Sequence, residues 1–198
     1  VRWWPLLLLA GCAVRAPVSA LPADFRWGVA MSGYQSEGDF PDSNWSRYQA
    51  RAGSPHAPYG DSVRFKQRYR EDVALAAALG INTFRFSVEW ARVMPKKGEV
   101  DQAALAYYDQ LFAELEQHGL APMVTLLHFV LPGWVMDEGG LANPAVVDDF
   151  VRFTEVVAKR YRGRVAFWVT VNEPTYFVTL ESRETRWSHA ALHALDAA

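Results

Sequence analysis

Between residues 62 and 80, Phe65, Tyr69, Val73, Ala76 and Leu79 recur three or four positions apart, the spacing that lines one face of an α-helix. Ser62 stands at its head as a candidate N-cap and Gly80 at its foot as a stop. The same logic predicts a helix over 101–119, opened by Asp101 and closed by Gly119. A third is predicted over 143–163, with Asn143 and Pro144 at its start. Short runs without that period, at 25–32, 82–88, 121–129 and 165–172, separate the helices and read as strands. The runs at 121–129 and 165–172 are almost continuously apolar, as strands are when both faces of a parallel sheet are covered.

Strands alternating with helices fit either a doubly wound sheet or part of a (β/α)8 barrel. No phosphate-cradling glycine motif follows a strand, which argues against a dinucleotide-binding version of the pattern. Polar residues gather at the strand exits. Gln35 lies just past the first strand, Arg85 within the second, His128 closes the third, and Asn172 and Glu173 close the fourth. A barrel assembles its chemistry at that rim. The expected architecture is therefore α/β, the first four βα units of a (β/α)8 barrel. Residues 21–198 form an incomplete one, since a full barrel takes roughly 250 residues.

Composition narrows the function. The chain is 51% apolar and 21% charged, enough for one globular core. A formal net charge of -2 gives no reason to expect nucleic acid as a partner. Eight Trp, eight Tyr and eleven Phe serve core packing and, at a rim, supply flat faces for sugar rings. The single cysteine, Cys12, rules out an internal disulfide framework. It sits in residues 1–20, where Arg2 precedes a short leucine run and small residues, a signal-peptide composition too short to span a bilayer. Leu9-Ala10-Gly11-Cys12 resembles the lipobox of bacterial lipoproteins, which implies membrane attachment through a lipidated Cys12. Val18-Ser19-Ala20 also fits the cleavage site of a plain leader, which implies a secreted or periplasmic chain. Either way export is expected, and residues 1–20 are set apart from the fold.

Each rim residue has two readings when taken alone. Glu173 suits general acid/base work, and glycoside cleavage needs such a carboxyl group; it equally suits a helix cap or an ion pair. Asn172 can donate to a sugar hydroxyl, and Pro174 stiffens the turn that aims Glu173. Arg85, among apolar neighbours, calls for a carboxylate, whether catalytic or structural. His128 reads as a ligand or a core histidine, and Gln35 as a ligand or a turn cap. His189 and His193 have helical i, i+4 spacing, but no third ligand or zinc-protease glutamate accompanies them. No metal and no cofactor are assigned.

Five stretches then change the weighing: FRWGVAMSGYQSEG (25–38), NWSRY (44–48), REDVALAAALGINTFRFSVEWARVMP (70–95), VTLLHFVLPGWV (124–135) and FWVTVNEP (167–174). In order and together they resemble the family 1 glycoside hydrolases, the β-glucosidase family. The resemblance implies a (β/α)8 barrel and a retaining β-glycosidase acting on β-linked glycosides and oligosaccharides, without cofactor or metal. It implies that Glu173 is the acid/base and that Asn172 meets the sugar 2-hydroxyl. Gln35 and His128 match positions that hold hydroxyls of the terminal sugar, and Arg85 matches the arginine that pairs with the nucleophile. Glu89 and Trp134 receive no role. Val130 departs from the polar residue that relatives often carry there. After Phe177 the sequence does not resemble the family's Gly-rich continuation, and nothing after Glu173 resembles the segment bearing the nucleophilic glutamate. The expectation is a β-glycosidase whose nucleophile half is missing from this chain, inactive alone. The alternatives are a non-catalytic sugar-binding half-barrel or degenerate gene fragment, and another barrel glycosidase family with an Asn-Glu-Pro segment; the stretches at 25–38 and 124–135 argue against the latter.

Overall fold

A computed structural model describes residues 21–185. The elements run β1 (Gly28–Ala30), α1 (Gly33–Ser36), α2 (Asn44–Gln49), α3 (Phe65–Ala78), β2 (Thr83–Ser87), α4 (Trp90–Val93), α5 (Gln102–Gln117) and β3 (Ala121–Leu127). They continue through α6 (Gly133–Asp137), a 3-10 turn (Gly140–Ala142), α7 (Ala145–Tyr161), β4 (Phe167–Val171) and α8 (Pro174–Thr185). The four strands form one parallel sheet in the order β1-β2-β3-β4. A doubly wound sheet reverses its strand order at a switch point, whereas a barrel adds each strand beside the last. The sequential order is that of a barrel, and the chain forms an α/β arc of the (β/α)8 fold.

Side chains alternate across the sheet with period two. Phe84 and Phe86 of β2 point to the helical layer, where they meet Phe65 at 6.0 Å and Phe112 at 5.3 Å between ring centroids. Arg85 between them faces the concave side. α5 buries Leu105, Tyr108, Leu111, Phe112 and Leu115, one apolar stripe at helical spacing. Asp101 caps it by accepting from the amides of Ala103 at 2.7 Å and Ala104 at 3.0 Å. α7 buries Phe153, Val157 and Tyr161. Tyr161 stacks on Phe112 at 4.5 Å and donates its hydroxyl to the Leu105 carbonyl at 3.0 Å.

The helix expected over 62–80 starts later than its pattern suggests. Ser62 is not the cap: it and Arg64 both have positive φ, and Arg64 occupies the N-cap position without a side-chain bond. β1 is only three residues long, shorter than the 25–32 run. β4 is not covered on both faces: Phe167 is 41% exposed, and among the described residues the strand pairs with β3 alone. The sheet is curled: Arg26, just before β1, lies over the Phe167 ring of β4 at 4.9 Å. Residues 1–20, with the leader and Cys12, lie outside the described residues, as do His189 and His193.

Candidate active site

The rim is built from the strand exits. β3 ends at Leu127, and His128 and Phe129 follow in a turn where Phe129 adopts a φ of 68°. Asn44, buried at the head of α2, clamps that turn. Its Nδ2 donates to the Phe129 carbonyl at 3.0 Å, its Oδ1 accepts from the Leu131 amide at 2.9 Å, and its own amide donates to the Leu131 carbonyl at 3.0 Å. His128 is thereby held half-buried. Burial, helped by the Arg85 charge, pushes its imidazole down to about 4. At neutral pH it is an uncharged ring, with one donor and one acceptor nitrogen.

β4 runs parallel to β3, pairing Leu127 with Val171, and the Asn172 amide donates to the Leu127 carbonyl at 2.8 Å. Asn172 and Glu173 therefore leave the sheet at the same end as His128. Arg85 reaches across the concave face, donating Nε to Thr125 Oγ1 at 3.0 Å and Nη2 to Asn172 Oδ1 at 2.6 Å. Because Arg85 occupies the Asn172 oxygen, the amide is oriented with its amino group as the donor left for another partner. The carboxylate expected beside Arg85 is absent among the described residues; its partners are a hydroxyl and an amide.

Glu173 is exposed and has a φ of 43°, a left-handed conformation uncommon for a residue with a Cβ. Pro174 follows as the first residue of α8, where its fixed φ suits a helix start and its missing N–H costs nothing. The Glu173 carbonyl accepts the Phe177 amide at 2.9 Å. Gln35 is exposed on α1 and accepts the Ser32 hydroxyl at 2.7 Å, so the turn-cap reading describes part of its bonding. Gln35 and His128 line one cleft, walled by Tyr34, Trp45, Tyr59 and Phe129. Aromatic walls with convergent polar groups suit a ligand that presents apolar faces and hydroxyls together.

Residues 18–188 match the profile of Glycosyl hydrolase family 1. The chain belongs to this family. It is 38% identical to a coniferin beta-glucosidase of Pinus contorta, over 91% of this chain and 38% of that protein. With an aryl-phospho-beta-D-glucosidase of Bacillus subtilis it shares 39% identity over 79% of this chain and 35% of the relative. Its fold matches a beta-glucosidase from Thermotoga maritima in complex with castanospermine, with a TM-score of 0.80 and 30% identity over 87% of this chain and 42% of that one. The chain thus spans roughly two fifths of the length of the family 1 proteins it matches.

The site also contains residues that sequence reasoning passed over. Glu89 is buried behind the rim together with Ser87, Glu37, Arg92, Tyr107 and Tyr108. Glu37 and Arg92 form an ion pair at 2.8 Å, 1% and 7% exposed. Burial raises the Glu37 carboxyl, while the Arg92 charge and the Tyr108 hydroxyl pull against that rise. The available signal was a density of acidic and basic residues in 37–39 and 89–92 that no surface helix claims. Trp134 is structural, donating its ring N–H to the Met94 carbonyl at 2.9 Å and packing edge-on to Trp90 at 5.9 Å.

Proposed function

We propose that this chain supplies the acid/base half of a retaining β-glycosidase site, with Glu173 as the proton donor and acceptor. The observation that carries the reading is the exposed Glu173 carboxyl, held in a left-handed turn directly after an asparagine whose orientation Arg85 fixes. Strained backbone concentrates where geometry serves function. In the first step Glu173 gives its proton to the glycosidic oxygen as the C–O bond breaks, and a second carboxylate forms the glycosyl-enzyme. In the second step Glu173 takes a proton from the water that attacks the anomeric carbon and releases the sugar. Asn172 donates to the 2-hydroxyl, and Gln35 and neutral His128 bind hydroxyls of the terminal sugar against the aromatic walls. Arg85 is the partner of the second carboxylate, which must lie about 5–5.5 Å from Glu173 and which we do not assign to any residue of this sequence. The substrate class is a β-linked glycoside or oligosaccharide.

The test uses an aryl β-glucoside. The 198-residue chain and its Glu173→Gln variant are expected to hydrolyse it equally slowly. Joined to the remaining barrel units of a family 1 relative, the chain should gain turnover that Glu173→Gln lowers by roughly 10²–10⁴-fold. Turnover by the chain alone that vanishes in Glu173→Gln would place the nucleophile within it. Turnover of the joined protein that survives the substitution would remove Glu173 from the acid/base role.

A further inference from the structure

Gln35 reaches the cleft from a four-residue helix, α1, too short to hold its own shape. What holds it lies underneath. Glu89, 2% exposed at the exit of β2, accepts the Gly33 amide on Oε1 at 3.1 Å and accepts the Ser87 hydroxyl on the same oxygen. Ser87 Oγ shares the Gly33 amide at 2.7 Å. A Cβ on Gly33 would collide with the Glu89 side chain, so backbone and carboxyl pack at the closest approach that glycine permits. The other end of the segment is fixed by its own Glu37, paired with Arg92 and accepting the Tyr108 hydroxyl at 3.0 Å.

We propose that Glu89 is a positioning residue for the rim: through its hydrogen bonds with the Gly33 amide and the Ser87 hydroxyl, it fixes the turn that presents Gln35 to the cleft. That Gln35 meets a sugar rests on the function proposed above; the coupling of Glu89 to the turn does not.

Charge arithmetic gives the device a pH dependence. Two buried carboxyl groups share one cation. Arg92 is committed to Glu37 and to the carbonyls of Gly38 at 3.0 Å and Asp39 at 3.1 Å. The groups facing Glu89 are Ser87 of β2, the Gly33 amide, Glu37, Arg92 of α4, and Tyr108 of α5, whose hydroxyl accepts the Glu89 amide at 3.0 Å. Tyr107 lies behind, its hydroxyl 3.5 Å from Glu37. Burial and then the Glu37 charge push the Glu89 carboxyl up to about 8, while burial raises both tyrosines, which stay neutral. The folded pKa exceeds the value in an opened, hydrated turn. The closed turn is therefore favoured fully below the ordinary carboxyl range, loses its advantage as pH rises, and is weakest above about 8.

The test follows the turn and the sugar separately. In the full chain, the Gly33 amide resonance should titrate with a midpoint near 8, and hydrogen exchange of 32–37, corrected for its intrinsic pH dependence, should quicken as pH rises from the ordinary carboxyl range and level off above about 8. Glu89→Gln should abolish the titration and keep the turn ordered. Glu89→Ala should quicken exchange at least tenfold at pH 6 and weaken methyl β-D-glucoside binding several-fold, with Glu89→Gln restoring both. A Gly33 resonance that does not titrate, or exchange unchanged in Glu89→Ala, overturns the proposal. If Glu89→Ala does not fold, the wild-type titration and its loss in Glu89→Gln decide. Altered exchange with glucoside binding unchanged, or with none in the wild type, leaves the coupling standing and counts against Gln35 as a sugar ligand.

Discussion

His128 and Glu173 meet the rim with opposite demands on their surroundings. The imidazole is half-enclosed beside the Arg85 guanidinium, which keeps it neutral down to about 4. The carboxyl stands exposed on a left-handed turn. For His128 the sign of the pH effect follows from linkage. An unfolded histidine takes a proton near 6.5 and the folded one only near 4, so the folded state binds fewer protons in between. The stability it contributes is complete above about 6.5 and is lost as pH falls towards 4. A ring resonance that titrates near 4, together with a stability slope between pH 4 and 6.5 that His128→Gln flattens, is the expected result; a midpoint at the ordinary value would refute it. Asp109, held low by Arg160, adds its own loss of stability only below the ordinary aspartate range, beneath the window in which His128 acts. At this scale the sequence revealed the rim residues through their places at strand exits. It could not reveal that Arg85 would bond Asn172 rather than an acid, because that depends on register, with Arg85 level with Met123 and Thr125 level with Val169.

The elements are tied together by a few polar contacts inside an otherwise apolar layer. Arg92 on α4 joins the turn after α1 through Glu37 and two carbonyls, and it also covers the Phe40 ring at 5.0 Å. Removing one member of a buried pair leaves the other charge unpaired, at a cost of about 3–5 kcal/mol. Urea unfolding followed by circular dichroism should therefore find Arg92→Ala destabilised by that amount. Replacing both members, Glu37→Gln with Arg92→Met, should cost clearly less than Arg92→Ala. A single variant within 1 kcal/mol of wild type would show that the pair contributes little. The three long helices were legible because each has an apolar stripe of helical period and a recognisable stop. The short helices α1, α2, α4 and α6 were not, since four to six residues are too few to display a period. β1 was over-read because 25–27 are extended by sequence type but lie outside the ladder with β2.

The arc as a whole leaves surface that a closed barrel would cover. Among the described residues, β1 and β4 form the two edges of the sheet. Trp27 is 56% exposed and Val29 38%, with Phe167 at 41% on the opposite edge. Unpaired strands flanked by apolar side chains favour association. Residues 21–198 are expected to sediment as dimers or larger species at micromolar concentration, and Val29→Lys should shift them towards monomer. A single monomeric boundary with a sharp cooperative melt would contradict this. The buried Glu37–Glu89–Arg92 arrangement also has a consequence for synthesis. Tyr108, which completes it, lies 71 residues beyond Glu37. At about 5–20 residues per second, a ribosome takes roughly 4–14 s to cover that distance. Through that interval the Gln35 turn has left the exit tunnel without the helix that seals it, and Glu37 is still in water as an ordinary anion. The front of the cleft is thus translated early but set late, by an aromatic hydroxyl from α5, and a nascent chain arrested before Tyr108 emerges would carry its first rim residue on an open loop.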